Sequence, residues 1–127
     1  MANKIKILLI EDDPFLLSMY ATKFELQGFQ IISADDGEKA LKAASKEKPD
    51  IILLDVLLPK MDGFEVLAEL KKNAATKDIP VILLTNLSQR DDLEKGLALG
   101  AVDYLIKAHF MPTEVVEKIV KILGEKK

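Results

Sequence analysis

Residues 51–63 read IILLDVLLPKMDG, an unbroken apolar run that ends on a single carboxylate, Asp55, ahead of a proline and an Asp-Gly pair. Four consecutive apolar residues bounded by turn formers describe a short strand covered on both faces, as strands of a parallel sheet are. The chain turns where the carboxylate stands, and in an open α/β sheet the crevice beyond the strands' carboxyl ends is where ligands bind. A second apolar run, Ile5 to Ile10, ends in the same way on Glu11 and Asp12. Carboxylates delivered by two strand ends to one edge repel each other unless a cation lies between them. A purely oxygen ligand set predicts Mg²⁺ there rather than Zn²⁺.

Short apolar runs alternate with longer amphipathic ones along the whole chain. This is the rhythm of βαβ units and a parallel sheet. Strands are predicted near 5–10, 29–34, 51–55, 80–85 and 102–106, and helices near 14–27, 37–47, 63–73, 88–99 and 112–123. Pro14 suits a first helical turn, Gly28 a C-terminal cap, and Ser88 with Asp91 an N-terminal capping pair. Right-handed crossovers leave few topologies for five strands; the order 2-1-3-4-5 sets strands one and three side by side, with both acidic ends facing one crevice. Strands four and five would add Thr85 and Lys107 to the same edge.

Composition narrows the function. At 127 residues the chain is the size of one domain, so a single domain over 1–127 without an effector domain is expected. A net charge of −3 offers no basic stripe, and no direct contact with nucleic acid is expected. No apolar stretch approaches the roughly 18 residues that span a bilayer, and Met1 to Lys6 lack the apolar core of a signal peptide. The expectation is a cytoplasmic protein with no membrane partner. With no cysteine there is no disulfide or thiolate ligand, and one histidine, His109, cannot close a Zn²⁺ site.

Four stretches, IEDDP at 10–14, LLDVLLPKMDG at 53–63, VILLTN at 81–86 and GAVDYLIK at 100–107, together resemble the receiver domain of two-component response regulators. The resemblance covers essentially the whole chain and implies a flavodoxin-like (βα)5 fold. It implies that Asp55 is the phosphoacceptor, taking a phosphoryl group from the phosphohistidine of a histidine kinase or histidine phosphotransfer protein, and that the chain is not a turnover enzyme. Mg²⁺ would be held by Asp12, Asp55 and the Leu57 carbonyl, with Glu11 acting through a metal-bound water. Lys107, the Thr85 hydroxyl and the Asn86 N–H would hold the phosphoryl oxygens. Asp13 reads as helix-start charge, and Asp62 with Gly63 as a loop and helix-start signal. Tyr104, three residues before Lys107, would follow the Thr85 hydroxyl as a switch and so reshape the face of helix four, strand five and helix five.

The apolar band of helix five, Val115, Val116, Ile119, Val120, Ile122 and Leu123, is wider than one buried face needs. It is expected to meet a downstream protein target or a second copy of the chain. Phe15, Leu16 and Met19 on helix one stand where receivers dock their phosphodonor. A stand-alone receiver or phosphorelay intermediate would fit the length. The alternatives are an aspartyl-nucleophile phosphatase, disfavoured because Leu57 stands where such enzymes carry a second Asp, and a receiver that is never phosphorylated. Leu57 and Leu87 cannot orient water as polar side chains could, which predicts slow loss of the phosphoryl group. Ala108 replaces the family's proline after the lysine; a cis bond before a non-proline residue costs about 3–4 kcal/mol, so a trans peptide is expected.

Overall fold

The structure, a computed structural model, describes residues 4–56, 58, 61–85, 90–106 and 112–124. Strands and helices alternate without exception: β1 (Lys6–Ile10), α1 (Pro14–Leu26), β2 (Gln30–Ala34), α2 (Gly37–Glu47), β3 (Ile51–Asp55), α3 (Gly63–Lys72), β4 (Val81–Thr85), α4 (Arg90–Ala98), β5 (Asp103–Ile106) and α5 (Pro112–Gly124). All pairings are parallel and the sheet order is β2-β1-β3-β4-β5. Each predicted element is present, with bounds displaced by two residues at most.

Alternation along the central strands divides the core in two. Ile7, Leu9, Ile51, Leu53, Ile82 and Leu84 point toward Tyr20 and Phe24 of α1 and Val115 and Ile119 of α5. Leu8, Ile10, Ile52, Leu54, Val81 and Leu83 point toward Ala40 and Ala44 of α2 and toward Phe64, Val66, Leu67 and Leu70 of α3. Every residue of β3 is buried, which explains why its sequence is apolar throughout and lacks the alternation of a half-exposed strand. Here α4 adds a third contact on the second face: Lys95 Nζ lies 4.6 Å above the Phe64 ring.

Local chemistry sets where the helices begin and end. Asp13, Asp36 and Asp62 cap α1, α2 and α3, each accepting a backbone N–H of the first turn that has no helical partner. Pro14 opens α1, where its missing N–H costs nothing. Past its end, Gly28 takes φ +94, a left-handed conformation that side chains resist, and its N–H returns to the Glu25 carbonyl. Ser88 lies outside the described residues, as does the side chain of Asp91.

The expected surplus on α5 is mostly absorbed by packing. Val115 and Ile119 are fully buried, and Val116, Ile122 and Leu123 are half-buried against the same cluster. Within that band Val120 is the exposed member, at 54%. α1 shows the converse: Leu16 and Met19 pack into the core, while Phe15 and Leu26 stand 74% and 80% exposed. No helix among the described residues is long and apolar enough to cross a membrane.

Candidate functional site

Parallel register assembles the site. Ile10 at the end of β1 pairs with Leu54 of β3, so the residues that follow, Glu11 and Asp55, emerge side by side at the carboxyl edge of the sheet. Glu11 continues the strand by one bond, its N–H donating to the Ala34 carbonyl at 3.0 Å. Asp12 then sits exposed on the turn into α1. Carboxylate oxygens of Glu11, Asp12 and Asp55 all lie within 4.8 Å of one another. Glu11 and Asp55 are nearly inaccessible, at 1% and 4% exposure.

Neither buried carboxylate is left without contacts. The Asp13 N–H donates to Glu11 Oε2 at 3.3 Å. The Asp13 side chain faces the other way, accepting from the N–H groups of Phe15 and Leu16 at 2.9 and 3.3 Å. One residue thus separates two tasks: Asp12 belongs to the cluster and Asp13 to the helix. Removing the cap in Asp13→Ala is expected to cost about 1 kcal/mol and to leave divalent-cation affinity near that of the unsubstituted chain. Asp12→Ala is expected to do the reverse, weakening Mg²⁺ by about tenfold or more with little change in melting temperature. Calorimetric titration and thermal melts of the pair check both arms.

The donor set fits a hard divalent cation. Oxygens on opposite sides of an octahedral Mg²⁺ are about 4.2 Å apart, since each bond is about 2.0–2.1 Å. Neighbouring oxygens on such an ion are only about 3 Å apart, and no more than one pair of three can stand opposite. The three oxygens, within 4.8 Å of one another, would therefore draw inward around the ion, or one of them would act through a water. In the acidic loop after β2, Asp35 is paired with Lys39 at 2.9 Å. The hydrogen bond and charge of Asp35 raise the Lys39 pKa, keeping the ammonium charged.

The other expected site residues are placed only by backbone register. Asp55 pairs with Leu84, and the next residue of β4, Thr85, pairs with Ile106 of β5, immediately before Lys107. The Thr85 backbone and Ile106, the last residue of β5, thereby lie at the same edge of the sheet as the carboxylates. The Thr85 side chain, and Leu57, Asn86, Leu87, Lys107, Ala108 and His109 entire, lie outside the described residues, so the expected trans peptide at Ala108 does too. Tyr104 is half-buried against the cluster that includes Leu83 and Phe64. Gly63, read from the sequence as a helix-start signal alone, also seats its N–H on the Val56 carbonyl at 2.7 Å, directly behind Asp55.

Comparison with known proteins agrees with this geometry. The family model described as "Response regulator receiver domain" matches residues 7–120. The alkaline phosphatase synthesis transcriptional regulatory protein PhoP of Bacillus subtilis is 42% identical over 118 residues, which cover 93% of this chain and 48% of PhoP. The chain spans about half the length of the curated relatives it matches. Among solved structures, the receiver domain of Francisella response regulator 1452 superposes with a TM-score of 0.89 at 31% identity, covering 98% of this chain and 100% of that one. The receiver domain of sensor histidine kinase PA1611 from Pseudomonas aeruginosa PAO1, with a magnesium ion coordinated in its active-site cleft, superposes with a TM-score of 0.88 at 29% identity, covering 96% and 99%. Strand order, acidic crevice and sequence therefore agree, and the chain belongs to the response regulator receiver family.

Proposed function

We propose that Asp55 accepts a phosphoryl group from a phosphohistidine, with Mg²⁺ held by Asp12 and Asp55, the Leu57 carbonyl, and Glu11 through water. The observation that carries this reading is the convergence of three carboxylates from two strand ends within 4.8 Å. A carboxylate oxygen of Asp55 attacks phosphorus as the P–N bond breaks, and the electron pair of that bond leaves with the imidazole. Charge repulsion and positioning dominate such a step, because nucleophile and phosphoryl group are both anionic. When bound, Mg²⁺ supplies the neutralising charge. Burial of Asp55 limits the water that could compete with its oxygen. Lys107, the Thr85 hydroxyl and the Asn86 N–H are assigned to the phosphoryl oxygens, and the chain acts as a phosphoacceptor rather than a turnover enzyme.

Phe15, exposed on the first turn of α1 beside Asp12 and Asp13, supplies an apolar contact for a kinase or phosphotransfer protein. The output surface is α4, β5 and α5, with Thr85 and Tyr104 as the switch pair and a protein target or second copy as the partner. PhoP is a transcriptional regulatory protein by name. The absence of direct nucleic-acid contact is accordingly proposed for these 127 residues alone.

Incubation with Mg²⁺ and a small acyl phosphate, followed by mass spectrometry of the intact chain and its peptides, tests the reading. One phosphoryl group mapping to Asp55, and none when the metal is chelated, is expected. No modification, or modification elsewhere, overturns it.

A further inference from the structure

Between Asp55 and α3 the chain makes a loop whose two ends touch. Val56 donates its N–H to the Leu84 carbonyl at 3.1 Å and accepts the Gly63 N–H on its own carbonyl at 2.7 Å. A Cβ added to Gly63 would collide with the Asp55 carbonyl oxygen and lie 2.6 Å from Val56 Cα and 3.0 Å from the Val56 oxygen. All three atoms are backbone, so no side-chain rotation relieves the contact. Either the first turn of α3 lifts away or the Asp55–Val56 peptide moves. Gly96, on α4, also lacks room for a Cβ, but it meets the end of the Leu83 side chain, which can swing aside. Gly63 is not among the glycines of positive φ, so what it requires is space rather than an unusual backbone.

We propose that Gly63 is a positioning residue for the phosphoacceptor: its bare Cα lets α3 clamp the Asp55–Val56 peptide and hold the Asp55 carboxylate in register with Glu11 and Asp12. The inference rests on Asp55 being a metal-binding phosphoacceptor, as proposed above. β3 is hydrogen-bonded on both sides, to β1 and to β4. The pairing with β1 ends at Leu54, so at Asp55 only β4 lies alongside, and a push from the α3 end displaces that carboxyl end of the strand more readily than its body. Mg²⁺ tolerates little error in oxygen placement, so a shift that the fold survives still spoils the cluster. A glycine with a packing role alone would lower stability and leave metal affinity unchanged.

The test measures Mn²⁺ affinity by electron paramagnetic resonance and Mg²⁺ affinity by calorimetry, at a temperature where circular dichroism shows each protein folded. Gly63→Ala is expected to lose about tenfold or more in affinity for both ions, the scale seen when groups that orient metal ligands are removed. Gly96→Ala is expected to melt earlier and to bind them as the unsubstituted chain does. Should Gly63→Ala not fold, Asp62→Ala replaces it: the Asp62 carboxylate accepts the Glu65 N–H at 2.9 Å, so the change loosens the same turn without adding an atom. Weaker binding by Asp62→Ala is then the expected result. Unchanged affinity in Gly63→Ala, or in Asp62→Ala where that variant stands in, overturns the proposal. If the unsubstituted chain binds neither ion and gains no phosphoryl group, the functional reading falls and this inference with it; if it does both while the variants match it, only the role of Gly63 falls.

Discussion

Asp55→Asn is expected to abolish phosphorylation by a small acyl phosphate while raising the stability of the metal-free domain. The amide keeps the shape of the carboxylate and loses the charged oxygen that is proposed to attack phosphorus. Two unit charges 5 Å apart repel by about 3 kcal/mol at an effective dielectric constant of about 20. Asp55 lies within that distance of both Glu11 and Asp12. Its favourable contacts offset part of that repulsion. A net gain of about 1 kcal/mol in chelator-treated protein is the expected balance. Phosphate retained on the variant would displace Asp55 as acceptor. A metal-free melt clearly below that of the unsubstituted chain would show that its contacts outweigh the repulsion.

The largest loss of stability is expected one residue earlier. Leu54 has no solvent exposure and packs with Leu8, Ile52 and Leu83 in the cluster beneath α2 and α3. Leu54→Ala removes that buried volume where strands on both sides prevent collapse, at a cost of about 2–5 kcal/mol. Domains of this size are stable by only about 5–15 kcal/mol in total, so the urea midpoint falls by a large fraction with little change in slope. Val120→Ala, on the exposed side of α5, is expected to move it hardly at all. Similar shifts for the two would contradict the division into core and surface.

Much of this architecture is legible in the sequence because its cause is local. β3 reads as a doubly covered strand since no polar residue interrupts Ile51 to Leu54, and the covering helices are present on both faces. Handedness and chain continuity leave few strand orders, and the observed one, with β1 beside β3, brings Glu11 and Asp12 to Asp55. The α5 band reads less well. Helical periodicity reveals how wide an apolar stripe is, but not that the neighbouring surfaces absorb Val116, Ile122 and Leu123 and leave Val120 outside. Asp13 reads as helix-start charge but not as a cap bonded to two N–H groups, a distinction of side-chain direction. The space requirement at Gly63 was not legible at all. It belongs to the meeting of α3 with the end of β3, and a glycine after an aspartate looks the same whether or not anything lies against it.

The burial of β3 also bears on how the molecule fails. Amides of a strand covered on both faces and paired on both edges exchange with solvent only through the rarest openings, those that take the whole domain apart. Asp55 is the last residue of that strand. Exchange at Leu53 and Leu54 should then run at the global unfolding rate or equilibrium, while amides of the exposed first turn of α1 exchange through local fraying. The proposed phosphoacceptor thus stands at the end of the slowest-exchanging strand, and heat is expected to silence it only when the fold itself melts.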